Sequence, residues 1–266
     1  MKRMAFLLLV ALAGASMVSA LEVDRKEIEA EAGTEIVFIN YSGPQSRINT
    51  VEEIRSIGSA LGASINGSAT AGNRADYYVI HAVDPAEPKG FDADILILGS
   101  GVGVDHIDNV RRILSAYLES AYGYSSRDGA TIARFVTVYN AVYRGKLDVF
   151  NKRYKTVVTK NLTAQAVGLS TNYADWPGNT QIVIPLSDPR LAGTLSTVDT
   201  SALTTKDVTS RIKEDGKEGI DTRKDMVDLK ERESAQAQER AETAQKEATK
   251  TKAEASEKKA EATKAQ

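Results

Sequence analysis

The chain has 266 residues and no cysteine, with 34 lysine and arginine residues against 36 aspartate and glutamate residues. Hydrophobic residues make up 42% of the chain, enough to build a core of ordinary size. The lack of cysteine excludes disulfides, thiolate metal sites and a cysteine nucleophile, and two histidines leave little for a histidine-rich metal centre. A net charge of -2 argues against a nucleic-acid-binding surface covering the whole protein.

The first twenty residues have the pattern of a secretory signal peptide. Lys2 and Arg3 precede an apolar run at 6–12, and the small residues at 18–20 match a cleavage site. The alternative is a retained anchor, but the apolar stretch is shorter than the roughly 20 residues that span a bilayer. We therefore expect cleavage of residues 1–20, no transmembrane span in the mature chain, and a periplasmic or envelope-associated protein. Surface exposure stays open.

Four short apolar runs predict strands, at residues 36–39, 77–80, 95–98 and 182–184. The runs are continuous rather than alternating, which is typical of strands buried on both faces. Helical patterns lie between them. We predict an α/β domain over residues 21–190, with a sheet of about four strands covered by helices. The pattern does not determine the strand order.

The predicted helices carry recognisable start signals and apolar stripes. Thr50 and Glu53 have the spacing of a capping box, and apolar stripes run over 107–121 and 132–142. Three tyrosines on these stripes are interpreted as core residues with hydroxyls at the rim, rather than as a ligand cage: Tyr117, Tyr139 and Tyr143.

The end of the chain differs in composition. All sixteen aromatic residues (1 Trp, 10 Tyr and 5 Phe) lie between Phe6 and Trp176, and no Val, Ile, Leu or Met follows Leu229. We predict a linker at 191–227 and a charged, Ala/Glu/Lys-rich tail at 228–266 that is helical or disordered. Alanines at heptad spacing permit a coiled coil, but a solvated single helix is the favoured interpretation. Such a tail serves as a spacer or as an arm that contacts a partner.

One glycine-rich loop is a candidate ligand site. Gly99-Ser100-Gly101-Val102-Gly103 follows the third predicted strand and precedes a helix, where α/β proteins bind anions through backbone N–H groups. Its spacing departs from the dinucleotide fingerprint, and no phosphate-cradling Gly-Lys-Ser/Thr follows. We therefore interpret the loop as a turn that needs positive φ, with a small anionic ligand or an enzymatic site at Gly99–Gly103 as the alternative.

The remaining candidates are weaker. Residues 105–108 offer two carboxylates and His106 to a metal, but we interpret them as a helix start in which Asp105 or Asp108 caps N–H groups and His106 is surface. A relay joining Ser100 to His106 or His81 lacks a nucleophile elbow. Arg111-Arg112 is too small a basic pair for nucleic acid. We assign no catalytic, cofactor-binding or metal-binding residue.

Four segments resemble a known family: 38–44 (Phe-Ile-Asn-Tyr-Ser-Gly-Pro), 109–118, 139–145 (Tyr-Asn-Ala-Val-Tyr-Arg-Gly) and 176–186. They are similar to segments of the exported 83/100-kDa antigens of spirochaetes such as Borrelia and Treponema. The resemblance implies an exported, immunogenic envelope protein with an N-terminal domain and a long, charged, helix-rich C-terminal region. It implies no activity, cofactor or catalytic residue. This chain is much shorter than that pattern.

The leading hypothesis is a non-enzymatic envelope protein whose charged tail spaces or contacts a protein or envelope partner of unknown identity. The alternative is a ligand-binding or enzymatic domain that uses the loop Gly99–Gly103. Surface adhesion is a third hypothesis. None of the three requires a nucleic-acid partner.

Overall fold

The structure is a computed structural model that describes residues 35–41, 50–65, 76–187, 191 and 193–264; the predicted signal peptide lies outside these residues. Helices and strands both contribute, so the mixed α and β class is confirmed. The strands are β1 (Glu35–Asn40), β2 (Tyr77–Val83), β3 (Asp92–Leu98) and β4 (Thr180–Leu186). The helices are α1 (Val51–Ser64), α2 (Ile107–Tyr122), α3 (Ser126–Val142), α4 (Leu147–Arg153), α5 (Thr156–Thr159), α6 (Thr200–Leu203), α7 (Lys206–Lys213) and α8 (Gly216–Lys264).

The four strands pair with one another in antiparallel orientation. Strands β2, β3 and β4 form a three-stranded unit, and β1 pairs with the outer side of β2, so that the order is β1-β2-β3-β4 and β4 is an edge strand. Ile95 of β3 lies opposite Ile80 on one side and Val183 on the other. Every residue of β3 and β4 is buried, so both faces of these strands are covered, as their continuous apolar runs predict.

Helices α1 and α2 pack closely against each other. The predicted capping box at the start of α1 is confirmed: Glu53 N–H donates to Thr50 Oγ1 (3.1 Å) and Thr50 N–H donates to Glu53 Oε2 (2.9 Å). Gly58 of α1 lies against the backbone of α2, where a Cβ would come 2.0 Å from the carbonyl oxygen of Ile113. A larger residue at position 58 would therefore force the two helices apart.

The start of α2 differs from the predicted cap. His106, not Asp105 or Asp108, is the N-cap, and its Nδ1 accepts the N–H of Asp108 (3.2 Å). Asp108 lies in the first turn, where a carboxylate is stabilised by the positive end of the helix. The sequence pattern favours an aspartate here because histidine is uncommon among N-cap residues.

Residues 191–227, predicted as a linker, belong to the packed part of the protein. Helices α6 and α7 lie in this stretch, and its aliphatic side chains are fully buried: Val198, Leu203, Val208 and Ile212. The N–H of Asp199 donates to the carbonyl of Pro185 in β4 (2.9 Å). The prediction failed because it took the end of the aromatic residues as the end of the core, whereas aliphatic side chains continue it.

Candidate functional site

The loop Gly99–Gly103 already holds a carboxylate from the protein itself. Asp76 lies just before β2, and its Oδ1 accepts the N–H of Gly101 (3.0 Å) while its carbonyl accepts the N–H of Gly99 (2.7 Å). The N–H of Gly103 donates to the hydroxyl of Tyr77 (3.2 Å). The donors that would cradle an anion are thus used within the fold, which disfavours a ligand at this loop.

The reason for glycine at position 101 is also different from the predicted one. Gly101 is not among the described glycines with positive φ. A Cβ at this position would come 2.2 Å from Asp76 Oδ1. The glycine is required by the close approach of the Asp76 carboxylate, not by a left-handed backbone.

A buried polar network crosses the sheet beneath α2. Asp94 of β3 has no exposed surface, and its Oδ2 accepts the hydroxyl of Tyr117 (2.7 Å) and that of Tyr122. Its Oδ1 lies 2.6 Å from Nδ1 of His81 on β2. Burial, followed by the charge of Asp94, raises the pKa of both tyrosines well above the usual value. These contacts stabilise a carboxylate inside the core.

This network corrects one prediction made from the sequence. Tyr117 is a core residue as predicted, but its hydroxyl is buried on Asp94 and does not lie at the rim. Ser100 has no hydrogen bond to His81 or His106 in the described part of the chain, so no Ser-His-Asp relay forms there. The signal that sequence reasoning missed was a carboxylate at position 94, directly before the apolar run 95–98 that predicts a buried strand.

A buried ion pair lines a cavity with a volume of about 680 Å³. Lys155 Nζ donates to Asp92 Oδ2 (2.8 Å) and to the carbonyl of Asp84 (2.7 Å). Glu87, another residue of the wall, accepts the N–H of Thr156 (2.8 Å). Lys155 and Asp92 therefore compensate each other within this wall. Among the described residues, no group of three or more His, Asp and Glu side chains is arranged to hold a metal.

The first half of α8 packs against the domain through one face of the helix, and we call the residues of this face the stripe. Successive residues of the stripe are alternately three and four positions apart, the spacing of a helix that packs along one line of contact. Its first part is buried and its second part is half-buried. In chain order the stripe consists of Gly219, Thr222, Met226, Leu229, Glu233, Gln236 and Arg240.

Ion pairs hold the docked half of α8 against α3. Arg134 pairs with Asp215 (3.1 Å) and Glu218, and Asp128 pairs with Arg232 (2.5 Å). The hydrogen bond from Arg232 lowers the pKa of the Asp128 carboxyl below its usual value. Arg127 adds contacts to the part of α8 that lies between these two pairs. Across the pairs, the residue numbers in α3 decrease while those in α8 increase, so the two helices run antiparallel.

The polar end of the stripe binds the segment 195–200. Gln236 Oε1 accepts the N–H of Leu195 (3.0 Å), and Arg240 Nη2 donates to Ser196 Oγ (3.2 Å). The hydroxyl of Thr200 donates to Glu233 (3.0 Å), whose pKa is raised by burial. These contacts end at Arg240, where the docking of α8 ends.

Beyond Arg240 the helix continues, and its contacts with the domain are not carried on through residues 241–252. We call residues 241–264 the arm. Every residue from 241 to 252 is exposed, and the helix runs to Lys264. At 1.5 Å per residue, the arm is about 36 Å long. This part of the predicted tail is therefore helical, and residues 241–252 are exposed and available to a partner.

Comparison with known proteins identifies one family. Residues 25–266 match the sequence model of the Borrelia P83/100 protein. Neither the curated proteins nor the solved structures contain a match to the chain. No described helix is both long enough and apolar enough to cross a membrane.

Proposed function

The chain belongs to the Borrelia P83/100 family, and from this premise we propose that it is an exported envelope antigen with a structural or interaction role. The domain fixes the first half of α8, and the arm spaces or contacts a partner. The observation that carries this proposal is the change along α8 at Arg240, from a stripe in contact with the domain to residues 241–252, which are all exposed.

The docked half of α8 explains how a solvated arm can be helical. Starting a helix is costly, since the first turn fixes several residues for one hydrogen bond, whereas each later residue adds a bond. The docked half already contains the first turns of the helix, and the burial of Met226 and Leu229 stabilises them. Glu242 and Lys246 stand four residues apart in the favourable order, a spacing that stabilises a helix by about 0.2–0.5 kcal/mol when the two side chains meet.

The exported location is part of the same proposal. The signal-peptide pattern at residues 1–20 and the family match support a periplasmic or envelope-associated protein. The enzymatic alternative loses its main support, because Asp76 and Tyr77 use the N–H groups of the loop Gly99–Gly103. We therefore favour the non-enzymatic role.

The test compares three chains in spirochaete envelope extracts: the full chain, a chain ending at Arg240, and a chain whose residues 241–264 are scrambled at constant composition. Partners are captured by cross-linking from position 245, and the chain ending at Arg240 is cross-linked from the exposed position 239. The exposed Lys152 is the site for comparison on the domain. We expect the chain ending at Arg240 to lose its partners. Loss in the scrambled chain as well assigns a specific contact, and retention assigns a spacer. Identical partners in all three chains would refute a role for the arm.

A further inference from the structure

A smaller cavity of about 230 Å³ lies between α2, α3, the loop at residues 169–176 and the end of α7. Its wall combines apolar side chains with charged and polar ones. The aliphatic and aromatic side chains are joined by two guanidinium groups, by hydroxyls and by the carboxylate of Asp215. The residues that define it are Leu169, Trp176, Tyr173, Arg111, Arg211 and Thr137.

Arg111 is the central polar group of this cavity. Its side chain is 21% exposed, and its Nε donates to Thr137 Oγ1 (3.1 Å). Its other hydrogen bond among the described residues is a long one, from Nη1 to the exposed Asp108 Oδ1 (3.4 Å). A guanidinium has five N–H donors, so most of those of Arg111 remain for another acceptor.

Within the described ranges, the buried side of Arg111 has no carboxylate that it does not share with another cationic group. Asp215 and Glu218 lie nearby, but both pair with Arg134. Burial, and then the positive charge of Arg134, lower the pKa of Arg111 despite these carboxylates. Arg211 adds a second guanidinium to the wall, and its partner Glu214 is exposed. A desolvated cation in this state gains free energy when an anion approaches.

We propose that this cavity binds a small organic anion, with its carboxylate on Arg111 and Arg211 and its apolar body against Leu169 and Trp176. A guanidinium binds a planar carboxylate through two parallel hydrogen bonds, which fixes the orientation of the ligand. The volume is below the roughly 300–1,000 Å³ of sites for drug-sized ligands, so the ligand is the size of one ring or a short chain. This site is separate from the arm.

The fluorescence of Trp176 offers a direct test, because it is the only tryptophan in the chain and forms part of the wall. The full chain is titrated with benzoate, with benzamide of the same shape but no charge, and with inorganic phosphate. We expect a saturable change with benzoate and binding weaker by about tenfold or more with benzamide. Equal affinity for benzoate and benzamide, equal affinity for benzoate and phosphate, or no saturable change would overturn the proposal.

Three variants locate the anion. Arg111→Gln removes the central charge, and Arg112→Gln, at a residue whose guanidinium contacts Asn109 outside the cavity, is the matched control. Arg211→Gln changes an exposed side chain and serves if Arg111→Gln does not fold. We expect Arg111→Gln and Arg211→Gln to weaken benzoate binding and Arg112→Gln to leave it unchanged. Unchanged binding in both cavity variants would refute the site.

Discussion

Asn140 of α3 makes two hydrogen bonds to the backbone of Val183 in β4: its Nδ2 donates to the carbonyl (2.9 Å), and its Oδ1 accepts the N–H (2.9 Å). One side chain thereby takes the place of the next strand at the edge of the sheet. The rest of this edge is also covered, since Gln181 pairs with residues 166 and 168, and Pro185 and Ser187 pair with residues 197–199. Pro185 has no N–H to satisfy there. The edge is thus closed to further strands.

We predict that Asn140→Ala strongly destabilises the protein. The substitution leaves a buried N–H and a buried carbonyl without partners, at about 1–3 kcal/mol each. We expect the free energy of unfolding in urea to fall by about 2–4 kcal/mol. Asn179→Ala, at an exposed position, is the control and should change stability by less than about 0.5 kcal/mol. A small effect at position 140 would mean that water can enter this edge.

Local patterns predicted the positions of the elements well. The apolar runs lie within β1 to β4, and the Thr50–Glu53 capping box forms because both partners are three residues apart in the chain. The antiparallel pairing and the contact between Asn140 and Val183 could not be predicted, since they join residues that are far apart in sequence. Composition also hid the docking stripe of α8, because much of that stripe is polar.

The candidate sites were harder to predict than the fold. The sequence drew attention to Gly101, but only the structure shows that Asp76, 25 positions earlier, occupies the anion-binding position. In the sequence, Arg111 stands out only as one member of the basic pair Arg111-Arg112, which is too small to bind nucleic acid. Its burial beside Thr137 and Trp176 depends on packing between α2, α3 and a loop, which no local pattern specifies.

We predict that Gly101→Ala destabilises the protein, because the new Cβ would meet the Asp76 carboxylate at 2.2 Å. The loss should be about 1–3 kcal/mol in thermal unfolding, as for other overpacked sites. Gly103→Ala is the matched control, since nothing lies within 4 Å of a Cβ there. Removing the carboxylate in the double variant Asp76→Ala/Gly101→Ala should recover part of the loss. Additive effects of the two changes would show that the contact with Asp76 is not the cause.

A third prediction concerns alkaline pH. Burial raises the pKa of Tyr77 to about 12, whereas an unfolded tyrosine titrates near 10. Between these values the folded state keeps a proton that the unfolded state has lost, so stability is complete below about pH 10 and falls as pH rises towards 12. One such group contributes a slope of up to about 1.4 kcal/mol per pH unit.

The measurement is the free energy of unfolding in urea from pH 9 to 11.5. We expect Tyr77→Phe to make the decline shallower, although the other buried tyrosines with raised pKa values, Tyr117 and Tyr122 among them, keep it from disappearing. Tyr173→Phe, at an exposed residue, should follow the unsubstituted protein. The same slope in all three proteins would contradict a buried, neutral hydroxyl at position 77.

The last prediction concerns the docking of α8 through Asp128 and Arg232. The Asp128 carboxylate accepts two hydrogen bonds from the Arg232 guanidinium, and the Asp128 side chain is 5% exposed whereas that of Arg232 is 48% exposed. Replacing the carboxylate by an amide in Asp128→Asn removes the charge that holds Arg232, and it also weakens the contact with Ser125 at the start of α3. The docked half of α8 should then open more often than the rest of the fold.

Hydrogen exchange of backbone amides at residues 222–236 measures this opening. We expect faster exchange there in Asp128→Asn, with little change in β3, since the strand lies in the core and does not depend on α8. Asp148→Asn, which removes an exposed carboxylate 4.0 Å from Lys152, is the matched control and should leave exchange in α8 unchanged. The same exchange at 222–236 in both variants would contradict this prediction. It would mean that the apolar contacts of Met226 and Leu229 hold α8 on the domain without the ion pair.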